Sequence, residues 1–334
     1  MRPKVSAVMP VYNGLPYLAR AVESLRRQRG VELEIVCVDD GSTDGSREWL
    51  ARAAAADPRV RVVLCPHNGI VAALNAGLAA ARYPLIARMD ADDVAHPDRL
   101  RLQAALLEGD RSLGVVGTQV RSFPDRAVSP AFRNYEAWNN CLTDPDRIGR
   151  EIFIESPIVH PSAMYRRDEA LELGGYRALP WAEDYDLWLR YHQAGYRLGK
   201  VPRVLLGWRM RPNRLSFADP RCARRAFIHC KAHFLARDAR VRAGPVVVWG
   251  AGMTGRRLGK ALLREGVEIA AFCDISPGKI GRTVFERPVL PVESVKDADA
   301  FVIAAVGAPG ARQDIRARMA AWGRREGADY LFVA

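Results

Sequence analysis

No apolar run in this chain approaches the ~18 residues that a membrane-crossing helix needs; the longest stretches, such as 267–273, are strand-sized. The N-terminus lacks the charged-then-apolar pattern of a secretory leader and runs straight into a strand signal. Cys37, Cys65, Cys141, Cys222, Cys230 and Cys273 include no C-x-x-C pair. That argues against a zinc ribbon or a disulfide framework and for reduced thiols in a cytoplasm. Internal repeats are absent, and the only low-complexity tract is 51–56. What remains is an ordinary globular composition, 49% hydrophobic and 26% charged over 334 residues, long enough for two domains.

The net charge of +12 is local. Residues 1–202 balance 26 basic against 26 acidic side chains, and 243–334 carry 13 against 10. Between them, 203–242 hold eleven basic residues against Asp219 and Asp238, a net +9. Part of this block reads as a basic amphipathic helix over 219–237. Asp219 stands at its cap, Pro220 at its first position, and Ala223, Ala226, Phe227, Cys230 and Phe234 along its apolar stripe. Two readings stay open: attraction to an anionic membrane surface, or a solvated inter-domain helix with paired arginines. No recognition motif accompanies the charge, so nucleic acid is not an expected partner.

The first 110 residues alternate strand and helix signals, which predicts a parallel α/β sheet. Apolar runs at 5–9, 34–38, 60–64 and 85–89 read as strands, the first stopped by Pro10. Leu18, Ala21, Val22 and Leu25 form one helical face, Ser42 or Asp44 is placed to cap the next helix, and 70–81 is a third. From 113 to 205 the pattern loosens into mixed strand and loop, except for a helix over 182–194.

Two acidic clusters fall at the carboxyl ends of strands, where open α/β sheets place their ligand crevice. Asp90, Asp92 and Asp93 suit a divalent cation such as manganese or magnesium, which prefers oxygen ligands and often sits on substrate phosphates. Asp39 and Asp40 suit hydrogen bonds from a base or ribose. The alternative is that such residues merely cap the helices that follow.

The order of short motifs is more specific. Val5 to Gly14 (VSAVMPVYNG), Val38 to Asp44 (VDDGSTD), Asn68-Gly69 with Asn75-Ala76-Gly77, and Ala87 to Asp93 (ARMDADD) occur in sequence. Pro97 to Gln103, His160-Pro161-Ser162, Gly174-Gly175-Tyr176 and Ala182 to Trp188 (AEDYDLW) follow. Over roughly residues 4–215 this resembles the family-2 inverting glycosyltransferases of the GT-A fold. The resemblance implies a nucleoside-diphosphate-sugar donor bordered by Pro10, Tyr12, Asp39, Asp40 and Asp90, with Tyr12 and Asp40 at the base. It implies a metal on Asp92, with Asp93 as competitor, and catalysis by the Glu183-Asp184 pair with Asp184 as base. His160 is implied on the acceptor side. Related enzymes often carry a histidine in the loop where this chain has Met210-Arg211-Pro212; Arg211 is expected to neutralise the diphosphate instead. The Q-x-x-R-W signature of processive synthases is absent, which favours transfer of one sugar to a carbohydrate or lipid-linked acceptor.

Beyond 243 a second α/β unit begins. Gly250-x-Gly252-x-x-Gly255 lies between a strand and a helix, and Asp274 ends the next strand, as in a dinucleotide fingerprint. The layout resembles the Rossmann-like domain of sugar-nucleotide acyltransferases and dehydratases. It implies a nucleotide module or a unit for homodimer formation. The expected organisation is a GT-A domain over 1–215, a basic helical linker over 216–243 and a small Rossmann-like α/β domain over 244–334. The expected location is cytoplasmic, peripheral to the inner face of the membrane if the basic block meets lipid. The rival readings are a nucleotidyltransferase, whose N-terminal glycine loop is missing here, a nucleotide-sugar sensor without activity, and a bifunctional enzyme using a cofactor in the second domain.

Overall fold

In the computed structural model, which describes residues 2–212 and 214–334, the first strand signal becomes β1 (Lys4–Val11), buried everywhere after Lys4. A parallel strand covered on both faces has to be apolar along its whole length. β1 pairs in parallel with β2 (Glu32–Asp40) and β4 (Leu85–Arg88), and β2 pairs with β3 (Val60–Cys65). Pro10 does not stop β1, whose register with β2 continues to Val11 opposite Asp39. On its other edge β1 pairs with β4 only as far as Val8, whose carbonyl accepts from Met89 N. The Pro10 nitrogen faces that same edge beyond the end of β4, so no ladder hydrogen bond is lost.

The sheet is completed by β5 (Val94–Ala95), β6 (Leu113–Phe123), β7 (Met164–Arg166) and β8 (Arg197–Arg209). The strand order is β3-β2-β1-β4-β7-β6-β8-β5. β7 runs antiparallel to β4 and β6, whereas β6 and β8 are parallel from Leu113–Arg197 to Phe123–Arg209. This long pair is what the loose 113–205 pattern concealed. Glycines break the alternation because packing requires them: a Cβ on Gly114 would lie 2.5 Å from the Tyr191 ring, and one on Gly117 3.1 Å from Ile158.

Helices Leu18–Arg26, Ser46–Ala56, Ile70–Ala80 and Arg99–Gly109 connect the first strands. Gly77 lets the third lie directly on β1, since a Cβ there would meet Val8 Cγ1 at 2.4 Å. Gly45 stands at the cap position of the second helix, and Asp44 supplies the capping side chain, its Oδ1 accepting from Ser46 N at 3.0 Å. Ser42 Oγ accepts from Asn13 N at 3.0 Å and Asp44 Oδ2 from Leu15 N at 3.0 Å, clasping the loop after β1.

The chain divides into two compact units: 1–149, 157–179 and 183–218 form the first, and 150–156, 180–182 and 219–334 the second. The segment expected as a linker thus belongs to the second unit from Asp219 onward. The helix expected over 219–237 is a 3-10 turn, Pro220–Cys222, followed by a helix at Arg224–Leu235. Asp219 caps the short turn, accepting from Arg221 N at 2.8 Å. Much of the basic block is satisfied internally. Lys231 is buried and donates to the Ile154 and Val333 carbonyls at 2.6 and 3.1 Å. Arg240 binds Asp238 at 2.8 Å and Arg237 binds Glu265 at 3.0 Å.

The second sheet comprises β9 (Val246–Trp249), β10 (Ile269–Asp274), β11 (Thr283–Val284), β12 (Arg287–Pro291), β13 (Phe301–Ala304) and β14 (Tyr330–Phe332), ordered β11-β12-β10-β9-β13-β14. Apart from the β11–β12 hairpin it is parallel, and the order reverses between β10 and β13, on either side of β9, as in doubly wound sheets. Its glycine turn is held by its own chain. Asp274 Oδ2 accepts from Ala251 N and from Lys279 Nζ, both at 2.9 Å, and Oδ1 from Ser276 N at 2.9 Å. The three glycines differ in kind. Gly250 has φ +117°, and a Cβ on Gly255 would fall 1.7 Å from Gly250 O, whereas Gly252 has only Lys279 Nζ, at 3.7 Å. Gly255→Ala is therefore expected to cost about 2–3 kcal/mol through overpacking against backbone. Gly252→Ala should cost under about 1 kcal/mol, the scale of a cap change. Denaturant melts of the two variants check this; equal stability would contradict it.

Candidate active site

The candidate residues of the first unit gather at the carboxyl ends of β1, β2 and β4. Their base-side corner is built by loop-to-loop hydrogen bonds: Asn13 Oδ1 accepts from Thr43 N at 2.8 Å, and Gly14 N donates to Ser46 Oγ at 2.9 Å. This presents Tyr12, half exposed, whose ring stacks on His67 with centroids 4.0 Å apart and planes 17° from parallel. Sequence reasoning passed over His67, a lone histidine before Asn68-Gly69; only its place in the loop after β3 could have pointed to it. Its Nδ1 lies 2.9 Å from Asp40 Oδ2. Asp39 and Asp40 are both buried and both partnered by the protein. Asp40 accepts from Asn68 N at 2.9 Å and Gly69 N at 3.0 Å, and Asp39 from Arg47 Nε at 2.9 Å and Ser42 N at 3.3 Å. These carboxylates order the loops, and Tyr12 and His67 are the groups left facing outward.

The turn after β4 gathers Asp90, Asp92 and Asp93, with one carboxylate oxygen from each inside a 4.8 Å span. Asp90 pairs with the buried Arg88. Asp93 Oδ1 accepts from Arg209 N at 2.7 Å, while its buried Oδ2 has no hydrogen-bond partner. Arg211 Nε lies 2.7 Å from Asp92 Oδ2, so the arginine that replaces the expected histidine sits on a carboxylate of this cluster. Burial, and then the Asp90 charge, push Asp92 above the usual carboxylate range, with Arg211 and Arg214 opposing; Asp93 is pushed further by burial and by both neighbours. Like-charged, desolvated carboxylates with an orphaned buried oxygen suit a divalent cation, which supplies the missing positive charge.

Glu183 and Asp184 open the helix Glu183–Gln193. A carboxylate in a first helical turn ordinarily gains from the dipole and is lowered. Asp184 moves the opposite way: burial, then the Glu183 charge, raise it to about 7. Its Oδ1 accepts from Tyr185 N at 2.7 Å, yet the residue remains half-buried. Helix capping alone does not explain a carboxylate held protonatable at neutral pH.

The other motif residues support this pair. Asp186 binds Arg177 at 2.6 Å and Arg190 at 2.9 Å, and Arg190 reaches the Gly175 carbonyl at 2.6 Å. Asn75 clamps Tyr176 from both sides, accepting from its N at 2.9 Å and donating to its O at 2.8 Å. His160 is buried. Its Nε2 is 3.0 Å from Tyr176 OH and its Nδ1 3.9 Å from Glu183 Oε1, so it approaches the carboxylate pair from inside the protein.

The family profile for glycosyl transferase family 2 matches residues 6–174, which takes in the base-side loops, the acidic turn and the Gly174 turn. The chain belongs to glycosyl transferase family 2. EpsE of Bacillus subtilis, named as a glycosyltransferase, is 34% identical over 200 residues, covering 58% of this chain and 69% of its own length. The amylovoran biosynthesis glycosyltransferase AmsE of Erwinia amylovora is 32% identical over 190 residues, covering 57% and 69%. A mannosyltransferase from Pyrobaculum calidifontis, solved with GDP-Man and Mn2+, shares the fold with TM-score 0.51 and 24% identity, over 71% of this chain and 63% of that one. The fold is thus GT-A, followed by a second small sheet domain. No helix among the described residues is long and apolar enough to cross a membrane.

For this family-2 glycosyltransferase the raised Asp184 has a consequence for stability. Its folded value lies above the ordinary value near 4, so between those two pH values the native state binds more protons than the unfolded chain and loses stability as pH rises. The advantage of Asp184→Asn over wild type should therefore grow between about pH 4 and 7 and stay level above. Thermal melts across that range check it; a constant difference would contradict it.

Proposed function

We propose that this glycosyltransferase moves one sugar from a nucleoside-diphosphate-sugar to a carbohydrate or lipid-linked acceptor in a single inverting displacement. Asp184 carries the reading: a half-buried carboxylate raised to about 7 is matched to taking a proton from a hydroxyl near neutrality. The acceptor oxygen bonds to the anomeric carbon as its proton passes to Asp184. The bond from that carbon to the diphosphate oxygen breaks, and its electron pair leaves with the nucleoside diphosphate. No enzyme nucleophile is needed. Glu183 keeps the base hard to ionise, and Tyr12 and His67 border the nucleotide base.

Asp92, with Asp93, would hold manganese or magnesium, and the unpartnered Asp93 Oδ2 supports that assignment. When bound, the ion supplies Lewis-acid stabilisation of the leaving diphosphate. Arg211 lets go of Asp92 and meets the diphosphate as a second, permanent cation. The relative named for amylovoran biosynthesis supports a cell-surface polysaccharide as the product. Buried or paired cations such as Lys231 and Arg240 leave fewer free charges for lipid contact, so the acceptor rather than the basic block is the better reason to expect work near a membrane.

Release of nucleoside diphosphate from a panel of sugar donors, with Mn2+ and candidate acceptors, tests the reading. Activity should fall on the acid side of about pH 7, where Asp184 becomes protonated and cannot accept a proton. Asp184→Asn should lose about 10²–10⁴ in kcat with donor affinity within about threefold, because the base acts on the acceptor. Wild-type turnover in that variant would reject the assignment. In the same assay, chelation should abolish turnover and added Mn2+ restore it, and Asp92→Asn should weaken Mn2+ binding measured by calorimetry; a chelator-resistant enzyme would overturn the metal site.

A further inference from the structure

Two short segments lie within the second unit although the chain on either side of them belongs to the first. Residues 150–156 lead to the turn that carries His160, and 180–182 run directly into Glu183. One helix of the second unit, Arg224–Leu235, holds both. Its buried Lys231 donates to the Ile154 carbonyl at 2.6 Å and to the Val333 carbonyl, just after β14, at 3.1 Å. A buried ammonium without such acceptors is costly, so these partners are held firmly. Two residues further along the helix His233 meets Trp181, with ring centroids 5.2 Å apart and planes tilted by 44°. Trp181 is only 8% exposed, although it lies in irregular chain before the helix Glu183–Gln193. His233 is itself fixed. Arg237 donates to its carbonyl at 2.6 Å, and His233 Nδ1 and Arg237 Nη1 both approach Glu265 Oε2, at 3.6 and 3.0 Å.

We propose that Trp181 is a positioning residue: seated on His233, it fixes where the chain enters the helix that opens with Glu183 and Asp184. The role of Asp184 as base rests on the glycosyltransferase reading; the seat of Trp181 does not. Asp184 follows Trp181 by three residues, a reach of about 10 Å even in extended chain. Once the entry is fixed, helix geometry sets the directions in which Glu183 and Asp184 leave the backbone. A base has to lie within hydrogen-bond reach of the hydroxyl it serves, and misplacement by about 1 Å costs about a hundredfold in rate. The helix of the basic block thereby gains a task that needs no lipid. Through Lys231 and His233 it holds the segments that lead to His160 and to the carboxylate pair. A purely structural tryptophan would stabilise the second unit without setting the rate of a base that belongs to the first.

The test uses the full chain and reads the helix entry and the turnover separately. Trp181→Ala removes the ring, and Trp181→Phe keeps an aromatic one. His233→Ala removes the contact from the other side should Trp181→Ala not fold. In hydrogen–deuterium exchange the amides of 183–188 should exchange about tenfold or more faster in both alanine variants, while β1 and β9 keep their wild-type rates. In donor-consumption assays the same variants should lose about ten- to a hundredfold in kcat, with KM for donor within about threefold. Trp181→Phe should recover most of that loss. The double alanine variant should be no slower than the poorer single one, because either change breaks the same contact. Wild-type exchange at 183–188 in a folded alanine variant overturns the proposal, as does faster exchange spread equally over β1 and β9. Faster exchange confined to 183–188 in a protein that consumes no donor would instead reject the glycosyltransferase chemistry and leave the Trp181 seat standing.

Discussion

Charge taken out of water at the end of β4 is the constraint on which the rest of the first unit depends. Two buried arginines lie there. Arg99, with no exposed surface and pushed down to about 9 by burial, donates to the Arg88 carbonyl at 2.7 Å and to Gln103 Oε1 at 3.0 Å. Gln103 in turn donates to Val116 O at 2.6 Å and Ser162 O at 2.7 Å, joining β6 to the His160 turn. The polar network is costly unless complete, and its completion fixes β4 against its neighbours. The acidic turn of Asp90 to Asp93 hangs from the strand that this network holds.

The same principle operates at each corner of the candidate site. Asp39 and Asp40 are buried but compensated by backbone N–H groups and by Arg47, so they serve as rigid loop anchors. Asp93 and Asp184 are compensated incompletely and are raised. Incomplete compensation costs stability, and at an active site that cost is what gives a carboxylate a cation to hold or a proton to take. Carboxylates of one residue type thus divide into structural and chemical roles by what surrounds them.

The sequence was most legible where chemistry and backbone coincide. Strand-end acidic clusters, the Glu183-Asp184 helix start and the glycine turn of the second unit all stand at the expected places. The expectations that failed have physical causes. β6 and β8 were obscured by glycines that close packing demands, and β1 ran through Pro10 because its neighbour had already ended. Asp219 capped a 3-10 turn rather than a long helix. For the +9 block the sequence leaves lipid contact and paired arginines both open; Lys231 lies buried on backbone carbonyls, and no sequence pattern distinguishes a buried lysine from a solvated one. His67 was invisible for a similar reason: its partners, Tyr12 and Asp40, lie on other elements, brought close only by the fold.

The central claim is a single displacement assisted by a base, with no covalent enzyme intermediate. The most direct measurement is the anomeric configuration of the first product formed, read by ¹H NMR during early turnover of whichever nucleoside-diphosphate-sugar the enzyme accepts. The account predicts a configuration opposite to that of the donor. A product that keeps the donor's configuration from the first time points would contradict it.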